Sequence, residues 1–223
     1  MSSRTLYRLS GGTLIVGSLL LLLNAILGAV LYPGHSNTPQ QDMTLPWFLL
    51  TLALLIGSLL SVIGLSGMYL RQATRAGVLG LVGFILLFFG FLLGGTAFSS
   101  VQITVLPWLA QVAPKLLEGN LPVSVFLLLI VSDLLQVIGF ILLGIATMRS
   151  RVFPRWAGIL LLASGIISLL TFPNIPSPLG DIIEVASFLA GAGAFLGCGY
   201  ALVAEEHGTT ETVPLAAKAQ ASR

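Results

Sequence analysis

The stretch "SDLLQVIGF" (residues 132–140) sets an acid and an amide one helical turn apart. It lies inside "LPVSVFLLLIVSDLLQVIGFILLGIATM" (121–148), a run with no other charged residue. A run so long and apolar reads as a helix crossing a bilayer, because about 20 apolar residues span the hydrocarbon. Much of the frame occurs earlier. "SLLSVIGL" (58–65) aligns Ser58 with Asp133 and Ser61 with Gln136, while Leu-Leu and Val-Ile-Gly repeat unchanged. A functional reading turns on why the second copy holds a carboxylate where the first holds a hydroxyl.

Outward from this run the pattern recurs. The sequence predicts spans over about 10–32, 46–70, 76–100, 121–148, 156–172 and 181–204. The runs are continuous, without period-two alternation, so they are helices rather than barrel strands. The chain is 56% hydrophobic and 8% charged, with a mean hydropathy of +1.02. Soluble chains carry about 25% charged residues; this one has too few to cover a water-facing surface, and its class is integral membrane. The first run follows Arg4 and Arg8. It is read as a retained span, since its apolar core exceeds a signal h-region and no small-x-small cleavage site follows.

The net charge of +2 does not signal nucleic-acid binding, because the arginines sit at the ends of apolar runs. With six spans, Arg4 and Arg8, Arg71 and Arg75, and Arg149, Arg151 and Arg155 fall on one side, and among Lys and Arg the opposite loops hold only Lys115. Both termini are therefore expected in the cytoplasm. The entries to the even spans, "LPW" at Leu45 and "LP" at Leu121, precede the shared frame. The odd spans open on "SGGTLIVG" (10–17), "RAGVLGLVG" (75–83) and "WAGILLLASG" (156–165). This predicts three helical hairpins in parallel repetition. The fold class is an all-α polytopic bundle of six transmembrane helices over 1–204, followed by a polar, disordered cytoplasmic tail over 205–223. Between spans three and four, "VQITVLPWLAQVAPKLLEGN" (101–120) predicts a short interfacial helix limited by Pro107 and Pro114 and anchored by Trp108. Helix contacts should run through small residues. Gly90 with Gly94, and Gly193 with Gly197, are the candidate seams, either inside the chain or between copies in a homo-oligomer.

The chemistry available is sparse. His35 and His207 fall outside the apolar runs, no lysine lies within them, and the lone Cys198 forms no internal disulfide. Haem ligation by an intramembrane histidine, a retinal Schiff base and a thiolate metal cluster are excluded; no cofactor and no metal site is expected. No Walker A, GxSxG, HExxH or CxxC motif occurs. The candidate site residues are Asp133, Gln136, Asn24, Glu184, Ser58 and Ser61. Asp133 lies about eleven residues inside its span, roughly 17 Å deep at 1.5 Å per residue. A mid-membrane carboxylate costs about 2.5–3.5 kcal/mol on insertion scales, so Asp133 must be neutral, paired or facing a wet cavity. The serines of span two can bond the backbone one turn back and need no site. Two readings of Asp133 stand: a ligand, proton or cation site, and a structural carboxyl bonded between helices. Asp181 and Glu184 at the start of span six read either as a mouth for cations or as acids at the positive end of a helix.

At "MRSRVFPRWAGILLLASGIISLL" (148–170) the chain resembles bacterial six-span membrane proteins that enter their fifth span on a "fPRwxGxLLxxxG" pattern. Phe153, Pro154, Arg155, Trp156, Gly158, Leu160, Leu161 and Gly165 match it. Together with "GAFLGCGYALV" (193–203) this resembles the domain-of-unknown-function family numbered 4386, over the last third of the chain. The resemblance implies six helices in a bacterial inner membrane and an acid in the last span, where Glu184 stands. It implies no activity. Three function classes follow from these residues. The first is a membrane protein binding or transporting a small apolar or cationic ligand. The second is a non-catalytic scaffold or accessory subunit, and the third a lipid- or isoprenoid-modifying enzyme using Asp133 and Glu184.

Overall fold

The computed structural model describes residues 3–33, 43–116, 123–171 and 177–204. The expected disordered tail, 205–223, lies outside them, as do His35 and His207. Among the described residues every element is helical: α1 (Ser3–Leu31), α2 (Leu45–Gly90), a π-helical segment (Phe91–Ala97), α3 (Phe98–Val112), a 3₁₀ turn (Pro114–Leu116), α4 (Val123–Ser150), α5 (Arg155–Thr171) and α6 (Leu179–Ala204). Thr44 caps α2 through its side chain, with a proline in the first turn, where a missing N–H costs nothing.

One residue turns the long α2 into two antiparallel arms. Gly77 has φ 60° and ψ −162°, a region essentially reserved for glycine. The chain reverses there. Tyr69 and Phe84 stack at 4.7 Å between centroids, although fifteen residues along a straight helix would separate them by about 22 Å. The same register sets Ser58 against Gly95.

All neighbouring rods run antiparallel and meet at glycines. A Cβ on Gly64 would stand 2.6 Å from the Leu14 Cβ, which joins α1 to the first arm of α2. Cβ atoms on Gly83 and Gly139 would stand 2.6 Å from the backbone nitrogens of Leu143 and Leu87, joining the second arm to α4. Gly144 abuts Leu162, linking α4 to α5, and Gly191 abuts Ser164, linking α5 to α6. Gly11 and Gly199 cross backbone on backbone, a Cβ on either standing 2.8 Å from the other's carbonyl, so α1 closes on α6. The rods thus form a closed ring in chain order. Gly90 and Gly94 back onto Gln136 and Ser132, while Gly193 and Gly197 back onto Leu160 and Trp156. Both small-residue seams are therefore occupied within the chain.

The ring wears its apolar side chains outside as well as inside. Val16, Leu23, Ile63, Ile85, Ile138 and Leu189 are all exposed, a surface suited to lipid and unsuited to water. Three single helices, and the continuous helical stretch Leu45–Val112, are long and apolar enough to cross a membrane; α5 is shorter.

One expectation is corrected. The segment after residue 100 is not a separate helix limited by Pro107: it continues α2 through the π segment to Val112, with Pro107 inside the helix, and residues 117–120 lie outside the described residues. Proline removes one backbone bond without ending the rod, and Trp108 is exposed near its end.

Candidate functional site

A cavity of about 670 Å³ opens inside the ring, in the half away from the chain's N-terminal helix start. Its floor is three phenylalanines from three different rods. Phe91, Phe140 and Phe195 stand 5.8 to 6.2 Å apart between centroids, within the range of favourable ring pairs. Below them the core is closed by Leu87, Leu143, Leu161 and Cys198, each buried. Above them Phe126, Ile130, Phe188 and Leu21 line the walls.

The polar lining has two parts. Asp133 and Gln136 come from α4 and Glu184 from α6. Position decides this for α4: Ser132 and Gln136 face the glycines of the preceding rod, Val137 and Phe140 approach Gly165 of α5, and Asp133 falls between these two faces, pointing into the ring. Asp133 is exposed within the structure and shares the cavity lining with Glu184. Gln136 reaches across the gap, its Nε2 donating to the Gly90 carbonyl at 3.4 Å. Gly90 immediately precedes the π-helical segment, where the backbone ladder changes from four-residue to five-residue steps, and such segments recur at functional sites.

The second polar group is a serine ladder. The Ser164 hydroxyl donates to the Ser187 carbonyl at 3.0 Å and the Ser187 hydroxyl to the Ser164 carbonyl at 3.1 Å. Ser168 and Ser187 hydroxyls lie 2.6 Å apart. These bonds lock α5 to α6 along the cavity wall. Ser18 of α1 also lines the cavity and donates to the Ile15 carbonyl at 3.0 Å. These residues were not marked by the sequence alone. The four-residue spacing of Ser164 and Ser168 was the available signal, whereas the phenylalanine floor had none, since its members come from rods far apart in sequence.

Of the sequence-derived candidates, the structure brings Asp133, Gln136 and Glu184 together and leaves the rest elsewhere. Asn24 donates to the Leu50 carbonyl at 2.8 Å, joining α1 to α2. Ser58 and Ser61 are wholly buried, against Gly95 and Gly17. Their expected bonds to their own backbone are absent: neither hydroxyl oxygen has a hydrogen-bond partner. In these tight crossings a glycine backbone occupies the space over each hydroxyl. Asp181 forms no mouth with Glu184. It is buried at the start of α6, accepting from the Ser177 hydroxyl at 2.6 Å, where an acid suits the positive helix end.

Among the described residues no three His, Cys, Asp or Glu side chains gather as metal ligands. Comparison with protein-family models, with curated proteins and with solved structures finds no match.

Proposed function

We propose that this is a multi-pass membrane protein of six spans whose central cavity binds or carries a small apolar or cationic ligand. The observation that carries the reading is the cavity itself. Two carboxylates, Asp133 and Glu184, and five phenylalanines line about 670 Å³, and among the described residues no basic side chain lines it with them. That volume is typical of small-molecule sites, which pair apolar walls with a few placed polar groups. A structural carboxyl would be sealed between helices; Asp133 faces open space.

The reversal at Gly77 supports counting the arms of α2 as separate spans, and hence three hairpins. α5 completes the count: its 17 residues extend about 26 Å, close to the hydrocarbon thickness of about 30 Å. The Arg71 guanidinium lies 5.7 Å from the Tyr7 ring centroid, which puts the arginines between spans two and three at the same end as the start of α1. That supports cytoplasmic termini by the positive-inside rule. A bacterial inner membrane follows from the resemblance in the last third of the chain.

Native mass spectrometry of the protein purified with its lipids, wild type beside Asp133→Asn, tests the reading. A small molecule retained by wild type and lost in the variant is the expected result. Identical spectra with equal thermal stability would point instead to a scaffold, and identical spectra with a large stability loss to a structural carboxyl.

A further inference from the structure

The glycine seam that holds α4 to the preceding rod stops half-way along. Gly83, Gly90 and Gly94 lie in turn against Leu143, Gln136 and Ser132. Continued by two turns, the seam would set Val101 of α3 against Leu128 of α4, since residues three and four apart share a helix face. It is not continued. Among the described residues no Cα of α3 comes within 8 Å of any Cα of α4, and Val101 and Leu128 are both exposed. Among the other long helices α3 packs on α2 alone, with Ser99, Gln102 and Ala110 as its buried stripe. The sequence supplies the reason. Close approach in lipid needs small residues; beyond Gly94 and Ser132 the two facing edges carry Phe98, Val101 and Val105 on one rod and Leu128 and Val125 on the other. The ring that closes at its glycine crossings is therefore forked beside the first turns of α4.

The fork and the cavity are continuous. Phe126 lines the cavity and is also exposed, and no residue of α3 lines it. The cavity thus opens sideways between two rods, at the depth of the hydrocarbon, where helices border lipid at no cost to their internally bonded backbones. At its inner end the polar groups on offer are acceptors. Ser18, Ser164 and Ser187 give their protons to backbone carbonyls. Gln136 gives an amide proton to Gly90, which leaves its side-chain carbonyl as an acceptor beside the Asp133 carboxylate.

Building on the ligand-binding reading above, we infer that the ligand is a membrane lipid that enters sideways through the fork between α3 and α4, its hydrogen-bond-donating head group reaching Asp133 and Gln136 and its hydrocarbon chain lying in the fork. Asp133 stands ten residues into α4, about 15 Å along the helix axis, so the head is drawn inward past Phe126 and Ile130. On the topology proposed above, the lipid comes from the outer leaflet.

Photolabelling of the full chain in phosphatidylcholine nanodiscs tests this, with a diazirine-bearing hexadecanol and its methyl ether as probes. The ether has the same chain and no donor. The alcohol should label saturably between Phe126 and Asp133, and the ether several-fold less. Unlabelled hexadecanol and hexadecylamine should both compete, the stronger naming the head as hydroxyl or ammonium. Asp133→Leu should reduce alcohol labelling to the level of the ether. Val101→Cys with Leu128→Cys, joined by a cleavable bis-maleimide, bars the fork; the native Cys198 is wholly buried. Labelling should fall on joining and recover on cleavage, the recovery showing that the joined protein stays folded. Equal, unsaturable labelling by both probes overturns the inference, because it reports surrounding lipid only. Saturable labelling indifferent to the bar overturns the sideways route. Failure of the probes, alongside a native ligand retained by wild type and lost in Asp133→Asn, overturns this inference and spares the proposed function. Failure of the probes with no retained ligand overturns both.

Discussion

The two copies of the Leu-Leu-x-Val-Ile-Gly frame occupy the same positions on their helices and do opposite work. Leu59 and Leu134 face outward, as do Ile63 and Ile138; Val62 and Val137 are buried. Gly64 and Gly139 each press on the backbone of the neighbouring rod, at Leu14 and Leu87. The copies part only at their polar positions. Ser58 and Ser61 are sealed against glycines, whereas Asp133 is exposed to the cavity and Gln136 half-buried beside it. Shared sequence sets which face of the helix packs. How closely the next rod approaches decides whether a polar group there meets backbone or open space.

Exchanging the polar residues breaks this comparison most severely. Ser58→Asp would force a carboxylate into a crossing with no room and no partner, and should cost about 3 kcal/mol or more. Asp133→Ser should leave stability within about 0.5 kcal/mol, as expected away from tight packing. Denaturant titration of each variant in detergent reads both, and equal losses would mean that the two environments do not differ. The glycines test the part held in common. Gly64→Val and Gly139→Val should each destabilise by about 2–3 kcal/mol through overpacking, measured as the fall in Tm; a large loss at one with tolerance at the other would undo the equivalence. Gly77→Ala comes next, at about 1–3 kcal/mol, because the reversal there sets Ser58 beside Gly95. The smallest effects belong to single polar contacts. Gln136→Leu should cost about 0.6 kcal/mol, the average for an interhelical hydrogen bond in a membrane. Ser61→Ala should cost nothing or stabilise slightly, since it removes a buried hydroxyl that has no partner; thermal unfolding of the pair side by side checks the order.

Much of the architecture was legible in sequence because lipid imposes length and polarity on each helix. α4 and α5 begin and end within about two residues of their expected bounds, a normal disagreement at helix ends. The glycine seams were legible for the same reason, as close approach in lipid calls for small residues. Asp133 with Gln136 could be marked because a carboxylate in hydrocarbon is costly wherever it points. Rotation and tilt were not legible. Whether Ser58 faces a cavity or a glycine depends on how another rod leans, and that is settled by contacts from Gly95, far along the chain. The continuation through Pro107 was hidden too, because a proline that removes one backbone bond leaves a rod intact where its neighbours hold it.

The crossing of Gly11 with Gly199 carries a consequence for biogenesis. A ribosome delivers α1 to the membrane long before α6 exists, so the flank of α1 that will receive Gly199 must meanwhile be filled by lipid or by an insertion factor. Glu184 arrives with that same last helix. Until then Asp133 sits in an unfinished vessel, its polar companion still unmade, and the cavity comes into being only when the final rod shuts the ring.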